Sequence, residues 1–271
     1  MTIAVCMKWV DSRPEVDPLT GSVHTDRRTS GASPADEAAL EWALESSLRT
    51  GEHVLVLTAG PPAAVDVLRA ALAVGATTAV RVDLDPSAPS SLVARALAEA
   101  MPSDVDLVLC GAWSVDRGSG SVPAFVAARR DAAQALGLVS VQLEADHITA
   151  ERRLDRGRRE RLSLQRPAVL SVEGGSARLR RAPLRGVIAA RDAAISVRSA
   201  PVTPGVPPVR TSAFRPRARV LPSPSGATAR ERVLSLTGAL SDRTPPQRLV
   251  LDPAAAADRI LEQLRSWGYI A

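Results

Sequence analysis

The residues best suited to chemistry in this 271-residue chain are small ones. Gly118, Ser119, Gly120 and Ser121 run straight into a helix-forming stretch that starts at Val122. Backbone N–H groups at such a junction converge and can cradle a phosphate, and the hydroxyls of Ser119 and Ser121 add hydrogen bonds. A plain connection between two elements has the same composition, so the loop alone admits both readings. Metal chemistry is disfavoured: His24, His53 and His147 are scattered without ligand spacing, and Cys6 and Cys110 do not form a Cys-x-x-Cys pair. A G-x-x-x-x-G-K-[ST] segment is missing, and no Ser-Gly-Gly loop follows the first apolar run, which argues against nucleotide hydrolysis.

The loop must be positioned by a repeating strand–helix pattern. Ile3 to Met7 is a short apolar run, followed by a polar, turn-rich segment from Asp11 to Ser33 that suits a loop or small hairpin. Ser33 then caps a helix with Pro34 at its first position, and Asp36 and Glu37 complement the helix dipole. Ala38, Leu40, Ala43 and Leu44 carry that helix towards Gly51. A strand over His53 to Thr58 leads to a helix with Val65, Leu68, Ala71 and Leu72 at helical spacing, closed by Gly75. A strand from Ala79 to Val82, a helix from Ser91 to Ala100, a strand from Asp106 to Gly111 and a helix from about Ser121 to Leu136 complete the repeat. Such units imply an α/β fold, a three-layer parallel sheet with helices on both faces. Its ligands sit beyond the carboxyl ends of the strands, here Cys6-Met7-Lys8, Thr58-Ala59-Gly60 and Cys110-Gly111-Ala112.

The stretch from Thr149 to Ser171 departs from the repeat. Two arms of alternating character, holding Leu154, Leu162 and Leu164 among polar residues, meet at Asp155-Arg156-Gly157. Gly157 supplies the positive φ of a tight turn, and a buried strand over Ala168 to Val172 follows Pro167. From about Ile195 the chain becomes rich in Pro, Ser and Arg, with modest helices expected at Thr228 to Leu236 and Ala254 to Trp267. The expected organisation is therefore a core over 1–195 and an extended arm over 196–271 that drapes over its own core or embraces a partner.

Lys and Arg total 34 against 29 Asp and Glu, a net charge of +5. Lys8 is the only lysine, and arginine supplies every other side-chain cation. The arginines lack the interleaved aromatics that base stacking needs, so the excess reads as a solvated basic face and not as a nucleic-acid surface. No apolar run approaches the roughly 20 residues of a membrane span. The N-terminus, MTIAVCMKWV, lacks the marks of a signal peptide, and both cysteines sit in apolar runs as buried thiols. A cytoplasmic location is expected.

With the elements placed, the chain resembles the beta subunit of electron transfer flavoproteins. The likeness rests on the N-terminal run with Lys8, on SPADEAALEWAL, on TAGPPAAVDVLRAALAVGA and on DLVLCG. The hairpin adds Arg152, Asp155, Gly157, Glu160 and Pro167-Ala168-Val169, though it inserts about one residue and carries Arg156 where the family has glycine. Pro245-Pro246-Gln247-Arg248 resembles a run before the family's last helix. The resemblance implies a non-enzymatic electron carrier. Such a subunit pairs with an alpha subunit that holds most of an FAD, and it commonly binds an AMP. It also docks flavin-dependent dehydrogenases whose electrons pass on to a further acceptor. The alternative is a stand-alone α/β protein that binds or hydrolyses an adenine nucleotide.

The family's nucleotide pocket maps onto Cys6, the helix start Ser33 to Asp36, Ala59, and the loop from Gly111 to Val122 with Asp116, Gly118, Ser119, Gly120 and Ser121. The loop departs from the family at Arg117-Gly118, Ser121 and Pro123; Pro123 removes an amide donor while Arg117 adds a charge. Counting from Pro167, Leu184 falls where the family places an exposed leucine that enters the dehydrogenase. Pro183 and Gly186 are expected to project it from a turn, with Arg180, Arg181 and Arg185, beside Arg178, steering the encounter. Arg153 stands where many relatives have an acid near the flavin.

Overall fold

A computed structural model of the chain describes residues 1–144, 147–200, 223–237 and 248–270. The main sheet is built from β1 (Thr2–Cys6), β2 (His53–Gly60), β3 (Thr78–Asp83), β4 (Val105–Gly111), β5 (Ala133–Leu143), β6 (Ile148–Arg153), β7 (Arg159–Leu164), β8 (Ala168–Val172) and β9 (Ser196–Ser199). The helices are α1 (Pro34–Thr50), α2 (Val65–Val74), α3 (Ser90–Ala100), α4 (Val122–Arg129), α5 (Leu184–Asp192), α6 (Ala229–Thr237) and α7 (Pro253–Ser266).

The nine strands lie in the order β7-β6-β5-β8-β4-β1-β2-β3-β9. Seven of them, from β5 to β9 in that order, pair in parallel, and the β6–β7 hairpin continues the sheet antiparallel beyond β5. Alternate residues of each strand feed two separate cores. Ile3, Val5, Leu107 and Leu109 pack with Leu40 and Leu44 of α1 and Leu68 of α2. Ala4, Cys6, Val108 and Cys110 pack on the other face with Leu97 of α3 and Val126 of α4. The chain leaves β1 for α1 on the first face and leaves β4 for α4 on the second. Since β1 and β4 are neighbours, the crevice between opposed connections opens beyond their carboxyl ends.

The turn-rich segment before α1 forms two small ladders, Val10–Asp11 with Ser30–Gly31 and Glu15–Val16 with Val23–His24. Helix α1 starts as its sequence dictates: the Ser33 hydroxyl accepts from the Asp36 amide at 3.1 Å, and Gly51 closes the helix at φ 74°. The hairpin is also present, but its turn uses two left-handed residues, Arg156 at φ 60° and Gly157 at φ 74°. A side chain at such a φ costs roughly 1–2 kcal/mol, so the exchange of glycine for Arg156 is not free.

Two expectations are corrected. The helix expected from Ser121 to Leu136 stops at Arg129, because Asp131 turns left-handed at φ 49° and the Ala132 amide returns to the Ala127 carbonyl. Ala133 onward, although helix-prone, becomes β5, since Ala135, Leu138, Val141 and Leu143 are buried along a strand paired with β8. The turn expected around Leu184 is α5, with Pro183 at its N-cap. The sheet also extends past Ile195, as β9 adds an edge strand beside β3.

The chain divides into two compact units, Met1–Phe214 and Arg215–Ala271. In the second unit α6 and α7 form close to where they were expected, yet neither buries a residue. Ile260, Leu261, Trp267, Tyr269 and Ile270 are exposed there, with the Trp267 and Tyr269 rings edge to face. Of the Pro245-Pro246-Gln247-Arg248 run, the first three residues lie outside the described ones, as does most of the Pro/Ser/Arg-rich stretch.

Candidate functional site

Cys6, Ser33, Asp36 and Gly111 come together where the connections of β1 and β4 diverge. Cys6 and Cys110 are register partners in parallel strands, both buried and both free thiols. The adjacent Cys6 thiol and burial push the Cys110 thiol well above its ordinary pKa, so Cys110 does not resemble an activated nucleophile.

Asp36 knots this end of the sheet. Its carboxylate accepts the Lys8 amide at 3.1 Å, and a Cβ on Gly111 would fall 2.5 Å from Asp36 Oδ1. Only glycine therefore lets β4 pass so close to α1. Burial pushes the Asp36 carboxyl up to about 6, partly offset by the Lys8 amide, the Ser33 hydroxyl and amide, and the Gly111 amide. The carboxylate is thus a structural acceptor joining β1, α1 and β4.

The loop after β4 folds over the same end. Lys8 Nζ pairs with Asp116, both about one-third exposed. Burial pushes the Asp116 carboxyl up, but the Lys8 ammonium and the Ser114 hydroxyl outweigh it and hold the group below the usual range. Gly118 and Gly120 are left-handed at φ 64° and 57°, and a Cβ on Gly120 would meet the Ala112 carbonyl oxygen. Ser119 and Ser121 hydroxyls lie 3.1 Å apart. Ser121 occupies the N-cap of α4 without making a side-chain cap bond. Pro123 removes one opening amide of α4 and Phe125 donates to the Ser121 carbonyl, so the Val122 and Ala124 amides are the donors this helix start presents.

Some expected site residues are placed otherwise. The Arg117 guanidinium does not add charge to the glycine loop: it donates to the carbonyls of Ala88 and Pro86 at 2.7 and 2.8 Å, tying the loop to the segment after β3. Ala59, by contrast, lies at the carboxyl end of β2, the direct partner of β1, and packs against the core cluster that holds Cys6 and Cys110. Arg180 is not a free steering charge, since its guanidinium and amide bind the Glu41 carboxylate of α1 at 2.7–3.1 Å. Arg181 and Arg185 are exposed, and Leu184 is 76% exposed at the first residue of α5. Arg153 pairs with Glu173 of the same chain.

The signal in the sequence for the Lys8–Asp116 pair is that Lys8 is the one lysine in a chain whose other side-chain cations are arginines. A second feature had no sequence signal. A concavity of about 440 Å³ is lined by Pro34 and Glu37 at the start of α1 and by Gly174, Gly175, Ala177, Arg178 and Leu179 of the segment after β8, which meet only in the folded chain. Among the described residues no His, Cys, Asp and Glu cluster could hold a metal ion, and no helix is long and apolar enough to cross a membrane.

A doubly wound sheet with a glycine-rich loop after β4 and a buried acid at the start of α1 places a crevice at its switch point. The comparisons with known proteins identify the family. Residues 20–203 match the model of the electron transfer flavoprotein domain. The chain is 32% identical over 207 residues to the electron transfer flavoprotein subunit beta of Mycobacterium tuberculosis strain H37Rv, covering 72% of this chain and 77% of that one. It is 31% identical over 177 residues to the same subunit of Thermoanaerobacterium thermosaccharolyticum, covering 64% and 68%. It is also 31% identical over 180 residues to the caffeyl-CoA reductase-Etf complex subunit CarD of Acetobacterium woodii, covering 63% and 68%. The chain belongs to the electron transfer flavoprotein beta-subunit family. It is an electron transfer subunit.

Proposed function

We propose that this chain is the beta half of a cytoplasmic heterodimer whose alpha subunit holds most of an FAD, and that it carries an AMP at the β1–β4 crevice. The observation that carries the reading is the convergence of Cys6, Ser33, Asp36 and Gly111 at the switch point, opposite the uncapped start of α4, in a chain of this family. Ser119, Gly120, Ser121 and Val122 supply phosphate donors, and Lys8 with Asp116 closes the loop over them. The flavin supplies the redox chemistry when bound. This chain's task is to lend walls to it and to hold the partners in register, so no residue here makes or breaks a substrate bond. The exposed apolar residues of α6 and α7 suit the arm, taken as 196–271, to burial against the alpha subunit.

Leu184 on α5, with Arg181 and Arg185 beside it, is the surface we assign to flavin-dependent dehydrogenases. Co-expression with an alpha subunit tests the whole reading. A yellow heterodimer that releases FAD and an equal amount of AMP on denaturation is expected. A colourless chain that remains alone beside a flavin-loaded alpha subunit would end it, and a heterodimer without AMP would remove the nucleotide part. Leu184→Ala is expected to slow electron transfer from the dehydrogenase with flavin content unchanged; an unchanged rate removes the docking role.

A further inference from the structure

The helix that presents Leu184 is nine residues long, too short to hold its shape alone in water. Its exposed face carries Leu184, Val187 and Ile188 at positions i, i+3 and i+4, which form one stripe. The opposite face is bolted to α2. A Cβ on Gly186 would collide with the Ala73 carbonyl oxygen, so the two backbones meet with no side chain between them. Arg69 of α2 reaches across the end of α5, where its Nη1 donates to the carbonyls of Ala190 and Arg191, each at 2.6 Å. Those carbonyls have no partner within the helix, and a cation at a helix C-terminus also favours the helix dipole. The approach to α5 is tied as well, through Arg180 to Glu41 and through Trp42 Nε1 to the Ser176 hydroxyl at 3.2 Å.

We infer that Arg69 and Gly186 are positioning residues for partner docking: they hold α5 on α2 so that the Leu184 stripe meets the dehydrogenase already oriented. The inference rests on the docking reading given above. Neither residue belongs to the stripe that meets the partner, and their effect passes entirely through the orientation of α5. An apolar anchor on a frayed helix would pay its ordering entropy at every encounter, whereas a mounted one does not.

The test is a double-mutant cycle in the assembled heterodimer, with electron transfer from the partner dehydrogenase as readout and chemical reduction by dithionite as control. Arg69→Met is expected to raise the KM for the dehydrogenase roughly tenfold, the effect of about 1.4 kcal/mol, with kcat and dithionite reduction unchanged. Amides of 184–192 should exchange faster with deuterium, and Arg69→Lys, which restores one donor, should recover part of the loss. Gly186→Ala should act in the same direction. Added to Leu184→Ala, Arg69→Met should cost little more, because both act through one contact. If Leu184→Ala slows transfer but Arg69→Met leaves KM unchanged, or adds its full effect on top, the positioning role is overturned. If Leu184→Ala itself has no effect, the docking reading fails and this inference with it.

Discussion

The two ends of the parallel sheet are built on opposite rules. At the amino ends of the strands, Arg166 reaches from before β8 to Glu52 before β2 and Asp106 at the start of β4, with Nη1 at 2.5 Å from the first carboxylate and 3.0 Å from the second. The Arg166 and Glu52 side chains are almost buried, and the cluster joins three strands by charge. At the carboxyl ends, Asp36 is buried with backbone amides and the Ser33 hydroxyl as partners and, among the described residues, no cation bonded to it, beside Gly111 and a loop latched by a pair about one-third exposed. One end is closed by compensated charge. The other is tied by a buried acid that holds backbone amides and a hydroxyl without a cation, and the start of α4 beside it has no side-chain cap.

This contrast sets an order of expected effects. The largest lies at the closed end. Arg166→Met removes one partner of a buried pair and should cost about 3–5 kcal/mol in denaturant unfolding, by stranding Glu52. A loss below about 1 kcal/mol would show that this end is not held by charge.

The next effect distinguishes the ends by pH. Burial works to raise Glu52, yet the Arg166 guanidinium and Thr50 hydroxyl hold it below its usual value, so its contribution is present at neutral pH and lost as pH falls through the acid range. Asp36 has the opposite sign. Unfolded, it releases its proton near 3.8, but folded it keeps the proton to about 6. Its contribution is therefore full well below the unfolded pKa of 3.8 and declines by about 3 kcal/mol as pH rises through 6. Asp36→Asn should lack that slope, so the stability gap between variant and parent should change across pH 4–6. A constant gap breaks the comparison.

Smaller effects sharpen it. Arg156→Gly, in the hairpin turn, relieves a left-handed side chain and should stabilise the fold by about 1 kcal/mol. A destabilised variant would mean that the Arg156 side chain earns its place through contacts. Lys8→Met opens the partly exposed latch on Asp116 and should change stability by under about 1 kcal/mol while weakening AMP retention in the heterodimer. Equal AMP content in both proteins would remove the latch.

Much of this molecule was legible in one dimension. Local signals sufficed wherever the determinant is local: the cap Ser33, the left-handed Gly51, the alternation of β6 and β7, the apolar runs of β1, β2 and β4. They failed at β5, where DAAQALG is helix-prone and pairing with β8 overrode propensity. They failed again at α5, where Pro183 and Gly186 look like turn residues until α2 supplies the reason for the glycine. Arg117 and Arg180 misled for a related reason. An arginine's reach exceeds the sequence window, so its partner, Ala88 or Glu41, is set by the fold.

Residue order alone thus determined the α/β class, the glycine loop ahead of Val122 and the family resemblance, because periodicity, capping and motif spacing act over a few neighbours. Tertiary structure decided which acid is buried on amides without a cation, which arginines are already engaged, and that Leu184 stands on a helix clamped by Arg69. Those outcomes depend on desolvation and on contacts between residues far apart in the chain, and neither quantity exists until the sheet has closed.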